Sequence, residues 1–195
     1  MNATQLREPR SGITTATTSA SPITKIGVSS TAATTTYTAT TVADATAWDL
    51  SALSAGQLAL GIWAVTTEGY RGYVTAVNDT TDVVTVAGGW IRPSGQQLDP
   101  SIATETPTAA TAVTFHRVSF CKQITVTAIE ANSVTVFAGF NSTLLSDGSD
   151  GDEISSTAAQ PNSMRVYGNG IDSFDATKLY IICASSTPKV GWIAI

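Results

Sequence analysis

The sequence predicts an all-β protein: one or two small β-sandwich or barrel domains, jelly-roll-like in outline, behind an extended Thr-rich N-terminal arm. Three observations carry this. Apolar runs of roughly four to eight residues recur between clusters of Gly, Asn, Asp and Pro, the spacing of sandwich and barrel strands. Threonine and valine, whose branched Cβ suits a pleated, half-buried surface, are used heavily. No stretch sustains a helical period, although Trp48–Leu53 suits one turn of helix.

Residues 1–45 read as a separate region. SGITTATTSASPITKIGVSSTAATTTYTATTVADA is dominated by Thr, Ser and Ala, with Ile13, Ile23, Ile26, Val28, Tyr37 and Val42 scattered through it. Such a segment buries too little apolar surface alone to offset its ordering entropy. It is expected to act as an assembly arm, adding a β-branched strand to a neighbouring subunit's sheet; the alternative is a self-contained leading strand.

Residues 46–118 read as a first β domain. QLALGIWAVTTEGYRGYVTAV holds two strands split at Glu68-Gly69. The first is apolar on both faces, as in a strand covered on two sides. In GYVTAVNDTTDVVTVAGGW, Asn78-Asp79-Thr80-Thr81 supplies the turn of a hairpin, Gly88-Gly89 ends the return strand, and Trp90 is placed to cap the core edge. A loop from Pro93 to about Ala112 then leads into TAVTFHRVSF.

Residues 119–195 read as a second domain, a β-sandwich. KQITVTAIEANSVTVFAGF is strand, turn, strand; NSTLLSDGSDGDE is a polar loop; SMRVYGNGIDSF, KLYIICAS and KVGWIAI are three more short strands.

Composition narrows function. The chain has 195 residues, 43% of them hydrophobic and only 13% charged, about half the usual charged share, which argues against general disorder. The net charge is −5 and no Lys/Arg cluster exists, so phosphate neutralisation, and with it nucleic-acid binding, is not expected. No apolar run reaches the ~18–20 residues that span a bilayer, and MNATQLREPR lacks the apolar core of a secretory signal. Synthesis in the cytoplasm is therefore expected, with Cys121 and Cys183 as reduced, buried thiols inside VSFCKQ and YIICAS. A disulfide between them requires neighbouring strands.

The chemistry-bearing residues are few. The single histidine, His116, would have to serve any Ser-His-Asp or Cys-His machinery; its place in TFHRVSF favours a packed or surface strand residue. There is no G-x-S-x-G, H-E-x-x-H, P-loop or G-x-G-x-x-G pattern and no zinc spacing. No enzymatic activity and no cofactor are expected. Asp147, Asp150, Asp152 and Glu153 crowd four carboxylates into DGSDGDE. Such a loop is either solvated or neutralised by Ca²⁺, though the EF-hand order is absent. Trp63, Tyr70, Tyr73 and Trp90 gather near one hairpin, to stack on a sugar or to fill a core. The residues expected to meet partners are Ile13, Ile23, Ile26, Val28, Tyr37, Trp63, Tyr73 and Trp90.

Several stretches together resemble known modules. WDLSALSAG from Trp48 to Gly56, GYRGYVTAVND from Gly69 to Asp79 and TDVVTVAGGW from Thr81 to Trp90 resemble a small β module of tailed-phage virion proteins. VTVFAG at Val134–Gly139, DEIS at Asp152–Ser155, SMRV at Ser163–Val166, LYII at Leu179–Ile182 and VGWI at Val190–Ile193 are similar to a small sandwich in phage structural proteins. The resemblance covers roughly residues 46–195, rests on turn glycines and alternating apolar residues, and supplies no catalytic residues. It implies a non-enzymatic virion subunit made in the host bacterial cytoplasm. Within that class a capsid decoration or cement protein is expected, working as a homo-oligomer such as a trimer on the major capsid protein or other virion proteins. A tail, collar or fibre component is the alternative; a carbohydrate- or receptor-binding module and a calcium-dependent adhesin-like domain are the readings from other classes.

Overall fold

The computed structural model describes residues 10–29, 34–44, 50–53, 58, 61–129, 134–154 and 164–195. Among these residues the chain is all-β, built of antiparallel sheets without a closed barrel, as the strand spacing predicts. Two compact units form, Ile26–Ser119 and Phe120–Ile195, the second completed by residues 10–25. In chain order the first unit is therefore inserted into the second. The division at Ser119 and Phe120 falls one residue beyond the one read from sequence.

The expectation of a separate region over residues 1–45 is corrected here for residues 10–29 and 34–44. Strand β1 (Arg10–Thr15) pairs antiparallel with β17 (Lys189–Ala194) over six residues, from Arg10 opposite Ala194 to Thr15 opposite Lys189. Strand β2 (Ser21–Pro22) pairs with β16 (Tyr180–Cys183). The next three strands, β3 (Lys25–Ser29), β4 (Thr35–Tyr37) and β5 (Thr41–Asp44), enter the sheet of the inserted unit. A Thr-rich edge strand needs little apolar mass of its own, because its ladder bonds and one inward face suffice. Residues 1–9 lie outside the described residues.

The remaining strands of the inserted unit are β6 (Trp63–Thr66), β7 (Arg71–Asn78), β8 (Val83–Val86) and β9 (Val113–His116), in the sheet order β3-β9-β6-β7-β8-β5-β4. The hairpin of β7 and β8 lies where the turn chemistry puts it. Asn78 Oδ1 accepts from the backbone N–H groups of Thr80 and Thr81, and a bulge between Val74 and Ala76 shifts the register. Strand β6 begins at Trp63 rather than Leu58, after Gly61 adopts φ 82°. The sheet curls: Ala110 N–H donates to Thr35 O (2.9 Å) and the Tyr37 hydroxyl to Thr111 O (2.7 Å), so the β4 edge meets the segment leading into β9. Val42, Ile62, Ala64, Val74, Val84, Val86, Trp90 and Phe115 fill the hollow of this curl with Leu50 and Leu53, the latter ending a 3-10 turn at Ser51–Leu53.

The second unit is a sandwich. One sheet has the order β1-β17-β11-β14, with β11 at Ile124–Ala128 and β14 at Met164–Tyr167. The other runs β13-β12-β16-β2, with β12 at Val136–Gly139 and β13 at Asp152–Ile154. A two-stranded ribbon, β10 (Phe120–Cys121) with β15 (Phe174–Asp175), lies beside them. Alternation along each strand sends Ile124, Val126, Ala128, Val136, Ala138, Ile154, Ile181, Cys183, Val190 and Trp192 inward. Strands β11 and β12, consecutive in sequence, join opposite sheets. Trp192 anchors β1: its indole N–H donates to Thr14 Oγ1 (3.1 Å). Gly12 lies against the ring, where a Cβ would fall 2.6 Å from Trp192 Cζ2, so any side chain there would push the edge strand off.

Candidate functional site

The aromatic group near the hairpin divides between two faces of one sheet. Trp63 on β6 stands directly opposite Tyr73 on β7, ring centroids 5.4 Å apart at 75°, and both are half-buried. One residue along, Gly72 faces the core, where a Cβ would fall 2.6 Å from Val86 Cγ1 and 3.2 Å from Trp90 Cε3. Trp90 is fully enclosed. Its indole N–H donates to Thr38 O (3.0 Å), and Tyr37 meets its ring edge-on at 5.4 Å. Trp63 and Tyr73 can offer a small aromatic ledge; Trp90 and Tyr37 cannot join it, and Tyr70 packs against the core.

His116 is 2% exposed on β9, opposite Trp63. Its Nε2 lies 2.9 Å from Thr114 Oγ1, and Thr114 Oγ1 in turn donates to Val65 O (3.2 Å). The ring is thus held on its own sheet by a neighbouring hydroxyl, as a packed strand histidine.

The acidic segment is likewise divided. Asp147 Oδ1 accepts from Ser149 N–H (2.9 Å), and these bonds hold its carboxyl below the usual carboxylate range. Asp150 accepts from Leu145 N–H (2.8 Å) with one oxygen and from Asn141 Nδ2 (3.1 Å) with the other. Asp152 and Glu153 stand on β13, both exposed. Two of the four carboxylates therefore close turns and two decorate a strand. Among the described residues no group of three or more His, Cys, Asp or Glu could hold a metal ion.

Cys121 and Cys183 are free and buried. Their strands pair elsewhere, β10 with β15 and β16 with β12 and β2. Burial pushes the Cys121 thiol up to about 12 from 9.0, and Cys183 upward as well. Below pH 9 the thiol is neutral in both folded and unfolded chains, and this contribution is fully present. Between about 9 and 12 only the unfolded chain ionises, so stability falls as pH rises. Burial of Tyr37 and Tyr167 raises their phenols and acts in the same sense above pH 10. The melting temperature is expected to hold from pH 7 to 9 and then decline, with a shallower decline in Cys121→Ala. Aromatic disulfide reagents should leave both thiols unmodified at pH 8 until the protein unfolds. Rapid modification of the folded chain would contradict this.

The residues expected at partner surfaces sort by exposure. Ile23 and Trp90 are fully buried core residues, which corrects that expectation: Ile23 sits where the chain turns after β2, its N–H bonded to Leu179 O, and Trp90 fills the curled sheet. Ile26 and Tyr37 are half-buried. Val28 lies on β3, its side chain outside the described residues. Ile13 is the exposed one, at 68%. It belongs to a surface the sequence reading did not assemble: the outward face of β1-β17-β11-β14, where Ile193, Met164, Val166 and Ile129 are also exposed. The available signal was that KVGWIAI carries apolar residues on both strand parities, so one parity must face outward. Between Ile13 and Ile193 this face carries a shallow hollow of about 350 Å³, floored by Gly191 and walled by Ser11, Thr125 and Thr127. Comparison with known protein families, curated proteins and solved structures finds no match for this chain.

Proposed function

We propose that the chain is a non-enzymatic structural subunit of a tailed-phage virion, acting as a capsid decoration or cement protein. The observation that carries this reading is the exposed apolar outer face of the sandwich, a surface suited to contact rather than chemistry. The only histidine is buried against a threonine, and the acidic loop spends two of its carboxylates on its own backbone and side chains. With residues 10–29 and 34–44 taken up by the two units, the contacts of this reading run through sheet faces rather than a free tether. Many identical copies on a particle make such modest contacts strong through avidity.

The test is the chain's abundance in purified particles. A copy number that scales with the major capsid protein is expected. One that scales with the portal or fibres moves the role to the tail or collar, and absence from particles rejects the virion assignment. A carbohydrate-binding reading draws on the Trp63–Tyr73 ledge alone; glycan binding lost in Trp63→Ala would favour it.

A further inference from the structure

The register of the outward sheet face contains a pattern of its own. Two rows cross the four strands. One reads Ser11, Ile193, Thr125, Val166; the next reads Ile13, Gly191, Thr127, Met164. Place a second copy face to face, related by a two-fold axis lying in the interface, across the strands and midway between the rows. Each strand then stacks on its own copy, and the rows exchange. Ile193 meets Gly191, Ile13 meets Ser11, Met164 meets Val166, and Thr125 meets Thr127. Two of the four strands thus set a large side chain against a small one, and the other two match middling volumes. Isologous contacts demand this reciprocity, and the interdigitation it allows is how facing sheets pack about 10 Å apart.

We infer that this face is a self-association surface whose partner is a second copy of the chain, paired about a two-fold axis with the Ile193 side chain of each copy seated in the Gly191 hollow of the other. Area and charge point the same way. Five apolar side chains here, Ile13, Ile193, Met164, Val166 and Ile129, are 42–68% exposed. Together they present roughly 500 Å² of apolar surface, at the upper end of what a monomer leaves open. Two copies would bury roughly 1,000 Å², the lower edge of specific association. Within the two rows every side chain is uncharged, with Lys189 in the next row beside Ile129, so the centre of the face asks for an apolar partner rather than an acidic or basic one. Ile129 borders Gly191, where a Cβ would fall 3.1 Å from its Cγ1, and adds its apolar side chain to the margin of the face.

This deepens the assembly reading by naming a surface, and its test needs no particle, so it can fail while particle binding stands. Sedimentation of the full chain from about 10 µM to 1 mM should show a reversible monomer–dimer equilibrium, weak as the modest area requires. Ile193→Glu should weaken the dimer at least tenfold without lowering the melting temperature, since the side chain is already half in solvent. Ile13→Lys, at a still more exposed position, should do the same and serves if the first variant folds poorly. A cysteine introduced by Ile193→Cys should be cross-linked between copies by a bismaleimide of about 10 Å span, the spacing of packed sheets; one introduced by Thr143→Cys in an exposed loop should not. A chain that stays monomeric at 1 mM, one that forms a trimer, or one whose dimer is indifferent to both substitutions overturns the inference.

Discussion

Deleting residues 1–24 is expected to unfold the C-terminal unit and leave the inserted unit folded. The deletion removes β1 and β2, one edge strand from each sheet of the sandwich. It takes away the six-residue ladder to β17 and three further backbone bonds, Ala16 to Pro188, Ile23 to Leu179 and Cys183 to Thr17. It also removes Ile23 from the core and uncovers the Trp192 ring that Gly12 and Thr14 cover. Burying one Ile contributes about 2–3 kcal/mol and each backbone bond about 1 kcal/mol net. Even discounted for non-additivity, the loss approaches the whole ~5–15 kcal/mol by which a domain is stable. The readout is direct. Cys121 and Cys183, protected in the intact chain, should both react with thiol reagents after the deletion, while the near-ultraviolet signal of Trp63 and Trp90 persists. Continued protection of both thiols would show that residues 10–24 are dispensable.

Trp90→Ala should cost the inserted unit about 3–5 kcal/mol, the usual penalty for emptying an aromatic site in a core. Among the described residues Trp90 is the largest fully buried side chain of that unit, and its ring lies against Tyr37 on β4 and Gly72 on β7. Its removal leaves Thr38 O without its indole donor and Tyr37 without its ring partner. For a unit of this size, 1 kcal/mol moves the midpoint by about 4–8 °C, so its melting temperature should fall by roughly 12–40 °C. Trp90→Phe keeps most of the volume and loses only the hydrogen bond, so it should cost far less. Trp63→Ala, on the half-exposed face, should fall between. A Trp90→Ala variant melting within a few degrees of the native chain would rule out a core role for that ring.

The contrast between Trp63 and Trp90 shows where the sequence was legible. The hairpin from Arg71 to Val86 reads cleanly because alternation and an Asn-Asp turn are local signals that agree with each other. The short strands after residue 119 read for the same reason. Partnership is another matter. β11 and β12 follow one another across a turn-like segment, yet they pair into opposite sheets, because alternation fixes which side chains face inward and is silent on which strand lies alongside. Ser, Thr and Ala in residues 10–24 carry too little apolar mass to announce a strand, and the partner that makes β1 one lies some 180 residues away. Ile23 looked like a contact residue because it stands in a Thr- and Ser-rich segment, and Trp90 because it gathers with Trp63, Tyr70 and Tyr73 near one hairpin; both are buried core residues. The acidic loop looked like a cation site by count. Backbone N–H groups inside the loop claim Asp147 and Asp150 first.

The insertion of one unit within the other sets an order of events during synthesis. Strand β1 leaves the ribosome early and its partner β17 late. At ordinary elongation rates the wait is roughly ten to forty seconds, long enough for the inserted unit to fold in the interval. An apolar strand left waiting would be a nucleus for aggregation. A strand written in Arg, Ser, Gly and Thr with one isoleucine can wait in water and still zip onto β17 when that strand appears.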